Sequence, residues 1–442
     1  MENFSRSIPS SIEVIPTLNS SHEKEWPSIP STSIIQSLNI ATDRLKSLAS
    51  TLLPQNIAMG GGDGSSPPAH VLIILPIPEP TDAIARIKRK HPTIEITFRS
   101  LLFNPTSWQG RGQPIDPSIY STITHLVTLS ALPPSPSDAP HLQLILLASA
   151  GSNHIQHTPI YKDTDITLTT SSGIHGPQIA EWCLMTALAS SHYYNMLHDW
   201  QKQHKWGRSG VGESDTRLET LRDKVGQRLG VLGYGSIGRQ VARVAKAMGM
   251  RVIVYTASPR PTPESKRDAG FIVPGTGDPD GSIPEEWFSG LDKESLHHFL
   301  GQGIDWLIIS VPLTKQTTKL ISAPELSILG KTRNSFVTNI SRGQILDQTA
   351  LVKSLRAYAA ADPVKGGDGG GGVRGAALDV TDPEPLPETD ELWAAPNCII
   401  TPHVSGLGVK YMDRVLQVFE VNLEREEEGA SLINVVDRKR GY

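Results

Sequence analysis

Three side chains near the end of the chain could work together: Arg342 in Asn339-Ile-Ser-Arg-Gly343, Glu384 in Asp382-Pro-Glu-Pro385, and His403 in Thr401-Pro-His403. Arginine's planar fork holds a carboxylate through two parallel hydrogen bonds. Histidine gives or takes a proton near neutral pH. A glutamate on the second ring nitrogen fixes the imidazole and favours its charged form. One at a time, these residues read as a surface ion-pair partner, an exposed loop acid and a capped turn residue. Their order behind a glycine pattern favours the chemical reading, a carboxylate grip at Arg342 beside a proton carrier at His403.

That glycine pattern is Gly233-Tyr-Gly-Ser-Ile-Gly238. A bare GxGxxG is a weak signal, but this one follows a strand-like run, Arg228 to Gly233, and opens a helix-like one, Ile237 to Met248. In that setting Gly233 permits the tight turn, Gly235 lets a pyrophosphate approach the backbone, and Gly238 lets helix and strand pack closely. Ser236 and Ile237 join the cofactor set at the positive end of the helix. An acid after the second strand would accept from an NAD ribose. Here Tyr255 is followed by Thr256-Ala-Ser-Pro-Arg260, with no acid until Glu264. Hydroxyls and an arginine suit a 2′-phosphate. NADP is therefore preferred, with Thr256, Ser258 and Arg260 as its readers, and NAD stays possible if Arg260 is only a solvated loop residue. A nicotinamide turns the Arg342, Glu384, His403 set into one for reducing a 2-oxo acid.

These residues need a scaffold, and the hydrophobic pattern predicts alternating strands and helices. Apolar runs mark strands at His70–Pro76, His125–Leu129, Leu142–Leu147 and Ile166–Thr169, and alternation marks one at Ile94–Phe98. A second set follows at Arg228–Gly233, Arg251–Tyr255, Asp305–Val311, Asn334–Asn339, Gly375–Val380 and Cys398–Thr401. Helices are expected at Thr81–Lys90, from Gly176 to about Tyr194, and at Val409–Glu427, the last returning to the first domain. Strands separated by helices argue for parallel βαβ units. The expected class is α/β: two Rossmann-like domains, one flavodoxin-like and one NAD(P)-binding, with parallel sheets and an active-site cleft between them. The substrate domain comprises 70–177 plus 406–442, and the NAD(P) domain 178–405. Residues 1–69 form a partly irregular extension with one helix at about Ser33 to Leu52. Insertions are expected at 258–300, a surface insertion with one helix at Asp292–Phe299, and at 362–374, a flexible glycine-rich loop.

Bulk properties exclude several classes. At 442 residues the chain is too long for one ordinary core. Its formal net charge of −4 gives no reason to expect a nucleic-acid partner. Cys183 and Cys398, the only cysteines, exclude a disulfide framework and a cysteine-based zinc site; both read as buried small hydrophobes in a reducing, cytoplasmic setting. No signal peptide and no membrane span are visible. No metal is expected.

From about residue 142 to 442 the chain resembles the D-isomer-specific 2-hydroxyacid dehydrogenases, the family of glyoxylate/hydroxypyruvate reductases and D-lactate dehydrogenases. The likeness is carried by Ala148-Ser-Ala-Gly-Ser-Asn-His154, by Gly230-Val-Leu-Gly-Tyr-Gly-Ser-Ile-Gly-Arg239, by Ser310-Val-Pro-Leu-Thr314, by the three motifs of Arg342, Glu384 and His403, and by Asn434-Val-Val-Asp437. The resemblance implies that the backbone of Ala150 and Gly151 completes the carboxylate grip. It also implies that Val311, Pro312 and Ile340 line the cofactor, that Asp379 contacts the nicotinamide carboxamide, and that the chain forms a homodimer. His154 and His175 could line the pocket without being catalytic. The chain departs from the family pattern in the long gap between Arg342 and Glu384, in the 258–300 insertion and in the 1–69 extension. Two other functions stay open at this point: a nucleotide-sensing, co-repressor-like binding protein and a formate dehydrogenase on the same fold.

Overall fold

A computed structural model describes residues 69–101, 115–207, 218, 221–332, 334–361 and 371–441. All of the 1–69 extension but Ala69, including its expected helix, and most of the glycine-rich loop at 362–374 lie outside the described residues.

Two all-parallel sheets organise the chain. The first has five strands in the order β2-β1-β3-β4-β5: β1 His70–Leu75, β2 Glu95–Ser100, β3 His125–Thr128, β4 Leu144–Leu147 and β5 Thr167–Thr170. The second has seven, in the order β12-β11-β10-β9-β6-β7-β8. They are β6 Arg228–Leu232, β7 Arg251–Thr256, β8 Glu286–Ser289, β9 Trp306–Ile309, β10 Phe336–Asn339, β11 Gly375–Leu378 and β12 Cys398–Ile400. Central strands are apolar without alternation, as in Val71 to Leu75 and Trp306 to Ile309, because helices cover both faces of a parallel sheet.

Helix α1, Thr81–Lys90, buries Ala83, Ile84 and Ile87 at helical spacing. Helix α7, Tyr411–Glu427, is the C-terminal helix; Val415, Leu416, Val418, Phe419 and Leu423 join the core around Val71, Ile73 and Leu75. Arg86 holds Glu420 at 2.6 Å and Lys90 holds Glu424 at 2.7 Å, so the last helix is locked onto the first.

Helix α2 spans Gly176–Ser191 rather than reaching Tyr194. Tyr193 takes a left-handed φ of 53°, which interrupts the ladder, and α3 restarts at Tyr194–Lys202. Ile179, Ala180, Cys183 and Ala187 of α2 pack with Val241, Ala242 and Ala245 of α4, Ser236–Ala247, the helix behind the glycine pattern. Cys183 is buried, whereas Cys398, on edge strand β12, is only partly so.

The 258–300 segment differs from the surface insertion expected. It contributes edge strand β8, which pairs with β7 from Ile253↔Glu286 to Thr256↔Ser289, as well as α5, Lys293–Leu300. Four residues are too few for a periodic signal, so this strand was not visible in the pattern. The segment is also clasped to the glycine turn. Tyr234 donates to the buried carboxylate of Asp278 at 2.7 Å, and Arg239 donates to the carbonyls of Asp278 and Lys266 at 2.6 and 2.7 Å.

After the glycine-rich stretch, Gly372 returns against α6, Gln348–Ala360; a β-carbon there would meet the Ser354 carbonyl at 2.0 Å. β11 then runs in register between β10 and β12, with Leu378 opposite both Asn339 and Ile400. The residue that follows it is Asp379, so the extra length between Arg342 and Glu384 does not displace the strand.

Candidate active site

Parallel strands put their carboxyl ends along one edge, where open α/β sheets bind ligands. β10, β11 and β12 are neighbours, and Arg342, Glu384 and His403 lie in the three segments leaving them. His403 Nδ1 lies 2.9 Å from Glu384 Oε2, and the other Glu384 oxygen accepts the Thr381 N–H at 3.1 Å. Burial pushes the Glu384 carboxyl up. The hydrogen bond and charge of His403, the Thr381 N–H and the Arg342 charge outweigh that and hold it below the usual carboxylate range. The His403 and Glu384 side chains are 49% and 40% exposed, so the pair opens to solvent and to a ligand.

Arg342 comes from the same sheet edge and reaches toward the first sheet. Its Nη2 lies over Gly151, after β4, where an added β-carbon would stand 3.4 Å from it. Nη1 donates to the Ser341 carbonyl at 2.6 Å, which steadies the side chain. Burial lowers the Arg342 pKa and Glu384 raises it, but a guanidinium stays charged in either case. Ala150 is exposed beside Gly151, and Ser149 donates to the Gly151 carbonyl at 2.8 Å, shaping that loop.

Asp379 directly follows β11. It is 2% exposed. One carboxylate oxygen accepts Thr401 Oγ1 at 2.6 Å and the Val404 N–H at 2.9 Å; the other accepts the Ser405 N–H at 3.0 Å and the Ser405 hydroxyl. Its carbonyl accepts the His403 N–H at 2.8 Å. The carboxylate is thus spent on the turn that carries His403, which takes a left-handed φ of 55°. Thr401 and Ser405 were missed by the sequence reading; hydroxyls two residues either side of a histidine were the available signal.

His154 and His175 both stand within electrostatic reach of Arg342. His154 Nε2 lies 2.7 Å from the Leu129 carbonyl, and burial lowers its pKa. Burial, with Arg414 and Arg342, pushes His175 down to about 4, so its ring is neutral, edge-on to Tyr411. Neither has a carboxylate partner among the described residues.

The glycine turn fits a dinucleotide. Gly233 has φ +98°, and a β-carbon there would meet the Ser310 carbonyl at 2.7 Å. A β-carbon on Gly238 would lie 2.5 Å from the Gly233 carbonyl. Gly235 differs, since nothing lies within 4 Å of its added β-carbon. That open space fronts the α4 N-terminus at Ser236 and Ile237, where Gly235 caps with no side chain. Free N–H groups there suit a pyrophosphate. Val311 and Pro312 leave β9 at the same edge, and Ile340, 8% exposed, leaves β10.

The expected phosphate readers are arranged unevenly. Thr256 ends β7 and donates its hydroxyl to the Ser258 carbonyl at 2.8 Å, which leaves it no proton to offer a phosphate. Ser258 is exposed. Arg260 is exposed and donates one Nη1 to the Ser265 carbonyl at 2.9 Å, leaving the rest of its fork available. Among the described residues no three His, Cys, Asp or Glu side chains converge as metal ligands, and no helix is long and apolar enough to cross a membrane.

Comparison with known proteins bears on the family and the fold. Residues 184–273 and 278–405 match the family described as D-isomer specific 2-hydroxyacid dehydrogenase, NAD binding domain. The chain is 27% identical over 277 residues to a glyoxylate reductase of Thermococcus gammatolerans, covering 61% of this chain and 68% of that protein. It is 28% identical over 322 residues to a glyoxylate reductase of Aeropyrum pernix, covering 73% and 83%. Among solved structures, it is similar to an NADPH-dependent glyoxylate/hydroxypyruvate reductase from Sinorhizobium meliloti in complex with NADP and sulfate, with TM-score 0.58, 23% identity, and 85% and 100% of the two chains covered.

Proposed function

Since the chain belongs to the D-isomer specific 2-hydroxyacid dehydrogenases and is an oxidoreductase using a nicotinamide cofactor, we propose that it reduces glyoxylate or hydroxypyruvate to the D-2-hydroxy acid, with NADPH preferred. The observation that carries the reading is the convergence of Arg342 on Gly151 beside the His403–Glu384 pair. Arg342 holds the carboxylate of the 2-oxo acid, and the N–H groups of Ala150 and Gly151 complete the grip. His403 presents its Nε2, the nitrogen left free by Glu384, to the keto oxygen and delivers the proton. In the oxidative direction the same nitrogen takes it back. Glu384 sets the ring orientation through its hydrogen bond to Nδ1. Asp379, Thr401 and Ser405 hold the turn that aims His403. The reduced nicotinamide supplies the hydride when bound.

The names of the relatives support the substrate class, and Arg260 with Ser258 supports NADPH over NADH. We also propose a homodimer. Of the large apolar side chains left exposed, Met185, Tyr194, Leu197, Trp206, Leu221 and Val225 fall in one stretch, and a second copy would cover them. The experiment that tests the function is steady-state turnover of the purified chain with NADPH or NADH against glyoxylate, hydroxypyruvate and bulkier 2-oxo acids. Absence of oxidation of either cofactor with every acid would sink the reading.

A further inference from the structure

Among the described residues the chain passes between the two sheets at 171–175, from β5 to α2, and at 401–410, from β12 to α7. α2 packs with α4 of the second sheet, and α7 packs on the core of the first. Gly173, in the first passage, has φ +102°. Glycine enters and leaves that conformation at little cost, so Gly173 is a point about which one sheet could swing against the other. Its backbone is covered. A β-carbon there would lie 2.0 Å from the Phe271 carbonyl oxygen, so the chain at Phe271 rests directly on it. The Phe271 side chain packs on the core of the first sheet, around Val71, Ile73 and Leu75. A β-carbon on the neighbouring Gly270 would lie 3.1 Å from Asn434 Oδ1, and Asn434 donates to the Thr170 and Ser172 carbonyls at 3.0 and 2.8 Å.

Phe271 itself belongs to the segment between β7 and β8 of the second sheet. The two ends of that excursion meet. The Asp268 N–H donates to the Pro279 carbonyl at 2.9 Å, and a β-carbon on Gly281 would lie 2.4 Å from the Lys266 carbonyl. The excursion is tied to α4. Gln240 Oε1 accepts the Gly277 N–H at 2.6 Å, Arg243 donates to the Gly277 carbonyl at 3.3 Å, and Arg239 holds the carbonyls of Asp278 and Lys266. We propose that residues 266–281 are a brace: anchored on α4, they press on Gly173 and set the angle between the two sheets before any ligand binds. That angle brings Arg342 of one sheet over Gly151 of the other, so the brace positions the carboxylate grip, a link that rests on the function proposed above. A site assembled in advance avoids the affinity lost when only a fraction of molecules is competent to bind.

Two variants of the full chain remove the brace without touching the site. One is Phe271→Ala. The other deletes 269–277 and joins Asp268 to Asp278 through two glycines, which keeps Asp278 as the acceptor of Tyr234. Either variant decides the matter if the other fails to fold. Spin labels at Lys88→Cys on α1 and Glu294→Cys on α5, in a Cys398→Ala background with Cys183 buried, report the distance between the sheets in the ligand-free protein. The expected result is one narrow distance distribution in the wild type and in Phe271→Leu, broadened toward longer distances in both brace variants. Both also raise KM for the 2-oxo acid by roughly fivefold to tenfold, as the competent fraction falls by that factor, and change kcat less than about twofold because saturating substrate restores the closed form. Phe271→Leu stays close to wild type in both parameters. A distribution as narrow in the two variants as in the wild type overturns the brace. A fall in kcat with KM unchanged overturns its link to the grip. The distances need no turnover, so a chain that oxidises no NADPH would sink the functional reading and leave the brace to be judged by the labels.

Discussion

The guanidinium of Arg342 and the backbone of Gly151 face each other across the two sheets, at a distance where a β-carbon on Gly151 would be 3.4 Å from Nη2. A carboxylate gripped there is bound by both sheets at once. Arg342→Lys keeps the charge but loses the fork. We expect kcat/KM for the 2-oxo acid to fall by roughly 10–100-fold, the weight of one charge-assisted hydrogen bond, while the KM for cofactor stays the same. Unchanged kcat/KM in steady-state assays would refute the grip.

His403→Gln should lower kcat by at least about 10²-fold, the usual weight of acid–base catalysis. Thermal unfolding should barely change, since the side chain is half exposed. Turnover close to wild type would remove His403 from the reaction.

Two residues near the cofactor turn separate recognition from support. Arg260→Ala should raise the KM for NADPH by about tenfold, one lost charged hydrogen bond, and leave NADH as it was. Asp278→Ala instead releases the Tyr234 hydroxyl and leaves the Ser282 and Ile283 N–H groups without their acceptor. It should weaken both cofactors alike and cost about 1–3 kcal/mol in denaturant unfolding. Equal effects of Arg260→Ala on the two cofactors would end its role as a phosphate reader.

Glu325 offers a pH-dependent term. It is 1% exposed and accepts from His297, Lys293 and Ser322. Burial pushes its carboxyl up, but those partners win and hold it at about 2. A depressed carboxylate stabilises the fold above its unfolded pKa of about 4.3, and that stability drains away as pH falls toward 2. Glu325→Gln should therefore cost at most about 3 kcal/mol at pH 7, with the gap to wild type narrowing below pH 4. A gap that is constant with pH, measured by urea unfolding, contradicts the assignment.

Sedimentation tests the proposed homodimer. Leu197→Glu places a charge among the exposed apolar residues of α3, which a monomer tolerates and a buried interface does not. The wild type should sediment as a dimer and the variant as a monomer. Identical sedimentation of the two would move the interface elsewhere.

The elements that position the site were largely legible in the chain. The pattern identified eleven of the twelve strands, the central ones as apolar runs because a parallel strand is buried on both faces, and edge strand β2 by its alternation. Arg342, Glu384 and His403 were legible because each sits just past such a run. β8 was hidden, because four edge residues carry too little apolar pattern. The stop of α2 at Ser191 was hidden too, because Tyr193 leaves the helical region without a glycine or proline to announce it.

What the chain determined unaided was local: which segments form strands, where glycine is sterically required, and which side chains carry the chemistry. What only the tertiary structure decided depends on distances between segments remote in sequence. Gly151 meets Arg342 because β4 and β10 end near one cleft. Asp379 anchors the His403 turn, because both its oxygens accept hydrogen bonds from Thr401, Val404 and Ser405. Phe271 reaches Gly173 only because the segment between β7 and β8 crosses to the other sheet. Hydrogen bonds and charge interactions fall off within a few ångströms, and periodicity in a sequence reports which face of an element is buried, not which residue stands opposite it.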